Sequence, residues 1–141
     1  MKILFDTNIV LDVLLNRAPY SGVAINLMAA VEKRRITGYL CATTITTLDY
    51  LTTKAVGKQS AKAAITNLLE LFIIAEVNQK TLQAAITSDF TDFEDAVLYY
   101  SGVNVGVDGF VTRNGKDFKT AALKIFDPTE LWNVMLENTT Q

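Results

Sequence analysis

Short apolar runs alternate with longer segments of helical periodicity along the whole sequence, and this alternation is the strongest constraint on the fold. Five runs have the length and composition of buried strands: 2–6, 36–42, 72–77, 108–112 and 124–127. Between them, apolar residues recur at three- and four-residue intervals, as they do in amphipathic helices. Alternating strands and helices predict a three-layer α/β/α sandwich with a mostly parallel central sheet of about five short strands.

The helical pattern predicts seven helices. They cover 8–16, 21–34, 45–56, 61–71, 79–87, 92–101 and a C-terminal segment that Pro128 opens. The helix at 92–101 is expected to stop at Gly102, because glycine often follows the last turn of a helix. No repeat, linker or low-complexity segment divides the 141 residues. We therefore expect a single domain over residues 1–141.

The residue types that are missing limit the chemistry. The chain has no histidine and one cysteine, Cys41. Nucleophile systems built on a histidine base, typical zinc sites and an internal disulfide are therefore excluded. Chemistry must come from carboxylates, lysines, hydroxyls or a bound cation. Strong general nucleic-acid binders are usually basic, whereas this chain has 13 basic and 15 acidic side chains, so a polyanion partner is expected to meet a local basic patch.

The same features predict a cytoplasmic protein that does not enter a membrane. One lysine precedes Asp6, so the N-terminus does not have the pattern of a signal peptide. No apolar run reaches the roughly 18 residues of a membrane-spanning helix. A lone cysteine suits a reducing compartment.

Three acidic groups lie at predicted strand ends or helix starts. Asp6 ends the first strand in FDTN, where it suits either a helix N-cap or a metal ligand, although Thr7 and Asn8 would cap as well. Asp12 follows within the helix and is expected to make a polar contact or face solvent. In SDFTDFEDA, Asp92 suits an ordinary helix start, whereas Asp95 precedes an apolar stretch and needs another explanation.

The third group is the polar turn VTRNGKDF, which follows the strand at 108–112 and contains Asp117. In parallel sheets, the carboxyl ends of the strands and the helix starts converge at one edge. Carboxylates gathered there would have raised pKa values unless a divalent cation neutralised them. Oxygen ligands alone select Mg²⁺ or Mn²⁺, which suit the attack of water on a phosphodiester.

The order of FDTN, DFEDA and TRNGKDF resembles that of PIN domains, and the resemblance spans the chain from Asp6 to the strand before Pro128. PIN domains are small α/β/α nucleases, and many bacterial members are VapC-type toxins of toxin–antitoxin pairs. The resemblance implies an Mg²⁺- or Mn²⁺-dependent ribonuclease. Carried over by position, it implies that Asp6, Asp95 and Asp117 hold the metal. It also implies that Thr112 and Asn114 are polar neighbours of the metal, and Asn8 is a further supporting candidate.

The sequence departs from the family pattern after the second strand, where the family commonly has a glutamate. The stretch TTITTLDYLTTK has none. Thr47 stands near the equivalent position, and Asp49 is the only acid nearby, although it would be turned about 200° away on a helix. Both are candidates for a supporting role in the site. Asp92 or Glu94 could compensate for the missing carboxylate.

The sequence indicates the substrate and the protein partners less clearly than the acidic site. Lys54, Lys58 and Lys62 form either a phosphate track or a solvated face that Gly57 interrupts, and Arg113 and Lys116 belong to a basic loop that also contains Lys119. The expected partners are RNA, an antitoxin protein and a second copy of the chain. The apolar helices near 24–31 and 61–71 could serve such contacts or ordinary core packing.

Three hypotheses follow. The first is a metal-dependent ribonuclease, the toxin of a type II toxin–antitoxin pair. The second, based on the missing glutamate, is a PIN-like binding module with weakened or lost catalysis. The third is a phospho-acceptor receiver domain, which needs a lysine at a late strand end, whereas Lys124 stands only at the start of the last strand.

Overall fold

The computed structural model describes residues 1–118 and 122–139. Its five strands are β1 (Lys2–Phe5), β2 (Thr37–Cys41), β3 (Ile73–Ala75), β4 (Gly109–Val111) and β5 (Lys124–Phe126). They form one sheet in the order β3-β2-β1-β4-β5, and every neighbouring pair is parallel. The predicted parallel sheet of five short strands is therefore confirmed.

Seven α-helices lie in the described residues, and a short 3-10 helix, η1 (Gly115–Phe118), follows β4. The α-helices are α1 (Thr7–Leu14), α2 (Ser21–Glu32), α3 (Ala42–Val56), α4 (Lys58–Leu71), α5 (Gln79–Ile86), α6 (Phe93–Val105) and α7 (Pro128–Thr139). The predicted helices are all present, with their ends shifted by a few residues; η1 was not predicted.

Two hydrophobic cores, one on each face of the sheet, make the three layers. Ile3 and Phe5 pack into one core with side chains of α1, α2, α3, α4 and α7, whereas Leu4 packs into the other with side chains of α5 and α6. Successive side chains of a strand point to opposite faces, so a central strand covered on both sides is apolar at every position. This arrangement confirms the α/β/α sandwich.

The prediction that the helix after Asp92 ends at Gly102 is wrong. The helix continues to Val105, and Gly106 ends it in the left-handed conformation, with φ of 76°. Gly102 has a packing role instead, because a Cβ atom there would come 2.7 Å from the Phe110 ring on β4. A glycine that allows a helix to approach a sheet closely looks the same in sequence as a helix terminator.

The topology places a cleft beyond the carboxyl ends of the two central strands. After β1 the chain crosses to β2 on one side, and β4 later pairs with β1 on the other side. Such a reversal of strand order opens a crevice between the loops that leave neighbouring strands. The segments that follow β1 and β4 contain Asp6 and Asp117.

None of the helices within 1–118 and 122–139 combines the length and the apolar character that crossing a membrane requires.

Candidate active site

A cleft of about 290 Å³ gathers the three acidic groups that the sequence singled out. Four separate segments contribute to it: the start of α1, the middle of α3, the start of α6 and the loop after β4. Its lining residues are Asp6, Thr7, Asn8, Thr47, Leu51, Asp92, Glu94, Asp95, Leu98, Asn114 and Asp117. The structure thus brings Asp6, Asp95 and Asp117 together at one edge of the sheet.

Asp6 is the most buried carboxylate of the cleft, with 8% of its surface exposed. It occupies the N-cap position of α1, but its side chain makes no capping hydrogen bond. Instead, Oδ2 accepts a hydrogen bond of 2.8 Å from the Thr112 hydroxyl. Burial raises the pKa of Asp6, and the hydrogen bond from Thr112 only partly offsets this effect. The sequence predicted that Asp6 is either a helix N-cap or a metal ligand. The structure does not show the hydrogen bond that the first role requires.

The two residues that were expected to cap α1 make no capping hydrogen bond either, because both belong to its first turn. The Thr7 hydroxyl shares a buried hydrogen bond of 2.9 Å with the hydroxyl of Thr44 on α3. Asn8 lines the cleft beside Asp6, where its amide oxygen lies 3.4 Å from a nitrogen of Arg17. The side chains around Asp6 are therefore tied to other elements.

Asp92 and Asp95 have different roles at the start of α6. Asp92 is the N-cap residue, and its Oδ1 accepts a hydrogen bond of 3.1 Å from the backbone N–H of Asp95, as expected for a helix start. Asp95 is half-buried. Burial, with the nearby charges of Asp92, Asp6, Asp117 and Glu94, raises the pKa of Asp95 to about 7. Without a cation, a large fraction of Asp95 is therefore protonated at neutral pH.

The loop after β4 supplies Thr112, Asn114 and Asp117. The Thr112 hydroxyl accepts a hydrogen bond of 3.1 Å from the Asn114 backbone N–H while it donates to Asp6. The Asp117 backbone N–H donates to the Asn114 carbonyl at 2.9 Å within η1. Asn114 and Asp117 are exposed on the cleft wall, whereas Thr112 is buried beneath it.

The helix after β2 turns Thr47 and Asp49 to different sides. Thr47 lines the acidic cleft, and its hydroxyl donates to the Thr43 carbonyl at 3.2 Å. Asp49 lies in a separate groove between α3 and α4, with Lys58 and Lys62. Asp49 therefore lies outside the cleft, contrary to the supporting role expected of it, because two positions along a helix rotate a side chain by about 200°.

The cationic candidates within the described residues lie outside the lining of the cleft. The Arg113 side chain binds Asp12 and lies over the Tyr20 ring, 3.8 Å from the centroid, so it is engaged within the fold and does not line the cleft. Lys54 lies over the Tyr50 ring, and Gly57, with φ of 94°, separates Lys54 from Lys58. The exposed Lys116 belongs to η1, and Lys119 lies outside the described residues.

The sequence did not indicate how completely Asp12 is buried. Its exposure is 0%, and its carboxylate is bound by Arg17 at 2.8 Å and by Arg113 at 2.9 Å. The available signal was an acid on the apolar side of a predicted helix, five residues before Arg17. Local sequence patterns did not indicate that Arg113, 101 residues further along the chain, also binds Asp12.

The donor set suits a hard divalent cation, although the carboxylates are not drawn into a tight cluster. Within residues 1–118 and 122–139, no three Asp, Glu or Cys side chains are close enough together to form a ready-made metal site. The charges of the neighbouring acids nevertheless contribute, after burial, to the raised pKa of Asp95. Like charges repel, and a cation bound between them would remove that cost. All the available donors are oxygens, which Mg²⁺ and Mn²⁺ prefer.

Comparison with known proteins identifies the family. The family model described as "PIN domain" matches residues 2–116. No curated protein sequence is detectably similar to the chain.

Solved structures show the same fold at low sequence identity. Mycobacterium tuberculosis VapC20, a sarcin-ricin loop cleaving toxin, has a TM-score of 0.68 and 18% identity, over 86% of this chain and 96% of that one. A toxin–antitoxin complex from Klebsiella pneumoniae has a TM-score of 0.68 and 21% identity, over 89% of this chain and 97% of that one. VapBC2 from Rickettsia felis, bound to a DNA fragment from its promoter, has a TM-score of 0.65 and 17% identity, over 90% of this chain and 100% of that one. Together with the match over most of its length, these findings show that the chain belongs to the PIN domain family.

Proposed function

We propose that this PIN domain is a metal-dependent endoribonuclease and the toxin of a type II toxin–antitoxin pair. The observation that carries the proposal is the meeting of Asp6, Asp95 and Asp117 around one cleft at the carboxyl edge of the sheet. Membership of a family that includes nucleases supports it, as does the likeness in fold to a toxin named for cleaving the sarcin-ricin loop.

In this proposal, Asp6, Asp95 and Asp117 hold Mg²⁺ or Mn²⁺. The bound cation would supply an activated water and positive charge opposite the phosphate during in-line hydrolysis. The chain's own residues prepare the site. Thr112 orients the Asp6 carboxylate by its hydrogen bond, and the Asp92 cap fixes the first turn of α6, from which Asp95 projects. Asn8, Thr47, Glu94 and Asn114 supply further oxygen atoms around the cleft.

The lining of the cleft, as far as the described residues form it, contains no lysine or arginine, so we place phosphate binding at the periphery of the cleft. Lys58 and Lys62 in the α3–α4 groove and the exposed Lys116 are the candidates. Contacts of this kind hold the backbone without reading its sequence.

An antitoxin partner is supported by neighbours that are themselves toxin–antitoxin complexes. Such partners need accessible apolar surface, and Tyr50 on α3 and Leu69 on α4 expose 64% and 51% of their surfaces. We propose that these helices contact an antitoxin or a second copy of the chain, in a cytoplasmic protein.

The test is cleavage of RNA in the presence of Mn²⁺ by the wild-type protein and by Asp6→Asn and Asp95→Asn. Glu32→Gln is the matched control, since it removes one negative charge at an exposed position outside both the cleft and the α3–α4 groove. We expect both cleft variants to lose about 100-fold or more in rate, because each removes a charge that acts on the transition state, and the control to retain activity. Equal activity in all four proteins would contradict the site assignment.

A second candidate function is that of a PIN-like binding module. Thr47 favours it, because a hydroxyl that donates to a backbone carbonyl stands where a fourth carboxylate is expected. The two functions differ in cation binding. If calorimetry finds no binding of Mn²⁺ at millimolar concentration, and the protein binds RNA without cleaving it, the binding module is the better account.

A further inference from the structure

Asp12 is a buried acid that the proposed chemistry does not use. It lies on α1, six residues after Asp6, and does not line the cleft. Both of its oxygens are engaged: Arg17 Nε and Arg113 Nε each approach at 2.9 Å, and Arg113 Nη2 adds a contact of 3.2 Å. A carboxylate so completely hydrogen-bonded holds its partners in fixed geometry.

Arg113 connects this buried acid to the cleft. It stands between Thr112, which donates to Asp6, and Asn114, which lines the cleft. Its guanidinium binds Asp12 through two nitrogens, and its Cζ atom lies over the Tyr20 ring, 3.8 Å from the centroid. A guanidinium with two hydrogen bonds to a buried carboxylate and an aromatic neighbour has little freedom to move. These contacts restrict the loop to which Arg113 belongs.

Movement of this loop would alter two parts of the cleft at once. The Thr112 hydroxyl links the Asp6 carboxylate to the Asn114 backbone N–H, and the Asn114 carbonyl accepts from Asp117 N–H. This chain of hydrogen bonds runs from Asp6 to the third acid of the cleft. The Asp12–Arg113 pair fastens it to α1, the helix that Asp6 precedes.

We propose that Asp12 is a positioning residue, which acts through Arg113 to hold the Thr112–Asp117 segment against Asp6 and so sets the rate of phosphodiester cleavage. This inference rests on the proposed nuclease function. Catalysis is sensitive to such geometry, because a misplacement of about 1 Å can cost roughly 100-fold in rate.

The experiment compares Arg113→Met with Arg17→Met. Each removes one of the two arginines of Asp12 and leaves the other pair in place, so each protein retains a paired buried carboxylate. Asp12→Asn is a third variant, and Arg113→Lys tests whether a single charged donor restores part of the effect. The first readout is native-state amide hydrogen exchange at Asn114 and Asp117, and the second is the separation of kcat from KM for RNA cleavage in Mn²⁺.

We expect exchange at Asn114 and Asp117 to accelerate about 10-fold or more in Arg113→Met, because the loop opens locally more often, and to stay at the wild-type rate in Arg17→Met. We expect kcat to fall about 10-fold or more in Arg113→Met with little change in KM, and Arg113→Lys to recover part of both effects. Exchange in the interior of α6, at Leu98, serves as the control for global stability.

Two results would overturn the inference: unchanged exchange in the loop of Arg113→Met, or faster exchange with an unchanged kcat. A wild-type protein that cleaves no RNA would refute the proposed nuclease, and with it the effect on rate. The exchange measurement would then decide by itself whether Asp12 positions the loop.

Discussion

Asp6 and Asp12 are both buried carboxylates at the same end of the chain, and their surroundings are opposite. Two arginines neutralise Asp12. Asp6 has a hydroxyl donor and faces further acids across a cleft, and Arg113 is the cation that most lowers its pKa. Burying a charge without a close partner costs free energy. The ion pairs explain why Asp12 can be buried, whereas a cleft whose described lining contains acids and no lysine or arginine supports the proposal of a bound cation.

The largest effect is expected when Asp12, the carboxylate bound by two arginines, is removed. Asp12→Ala leaves two guanidiniums without their carboxylate, and loss of one partner of a buried ion pair typically costs about 3–5 kcal/mol. We expect a loss of this order in the free energy of unfolding, measured by urea denaturation. Asp49→Ala, at an exposed position, should stay within about 0.5 kcal/mol of the wild-type protein. If Asp12→Ala changed the free energy of unfolding as little as Asp49→Ala does, the ion pairs of Asp12 would not stabilise the fold, and the contrast between Asp12 and Asp6 would be wrong.

The next effect is the response of the cleft to a cation. Mn²⁺ at 100 times its dissociation constant should stabilise the folded protein by about 2.7 kcal/mol, since it binds the native state. Thermal unfolding with and without EDTA measures this shift. We expect the same shift in Asp49→Asn and about 1.4 kcal/mol or less in Asp6→Asn, as a loss of about 10-fold or more in affinity requires. A shift of equal size in Asp6→Asn would place the cation elsewhere.

The metal-free cleft should also make stability depend on pH. The pKa of Asp95 is raised to about 7 in the folded protein, so the folded state binds more protons than the unfolded state does. Stability is then highest below the unfolded pKa near 4 and falls as the pH rises towards 7. Unfolding in EDTA between pH 4 and 8 should show this decline, and Asp95→Asn should flatten it. A decline of unchanged slope in Asp95→Asn would exclude this carboxylate as its source.

The smallest expected effect comes from a carboxylate added to the cleft. Thr47→Glu places an acid on the lining of the cleft, where the family commonly has one. We expect Mn²⁺ to bind about 10-fold more tightly, which corresponds to about 1.4 kcal/mol, because another negative oxygen ligand faces the cation. Calorimetric titration measures the change. Thr46→Glu, which adds the same charge one position earlier at an exposed site, is the control.

Much of the fold and the composition of the cleft followed from local patterns. Apolar runs located the strands, and the rule that parallel strands converge at their carboxyl ends predicted that Asp6 and Asp117 would meet. Helix periodicity predicted that Asp49 would turn away from Thr47. Long-range packing could not be predicted from local patterns. The closeness of Gly102 to Phe110 and the pairing of Asp12 with Arg113 depend on the folded arrangement of distant segments.

The most direct test of the claim that the acidic cleft binds a cation is a calorimetric titration of metal-free protein with Mn²⁺ at pH 7. It compares the wild type with Asp6→Asn and Asp49→Asn. We predict that the wild type and Asp49→Asn bind with the same affinity, and that Asp6→Asn binds at least about 10-fold more weakly, since it loses a charged oxygen ligand. Equal affinity in all three proteins, or no binding by the wild type, would contradict the account.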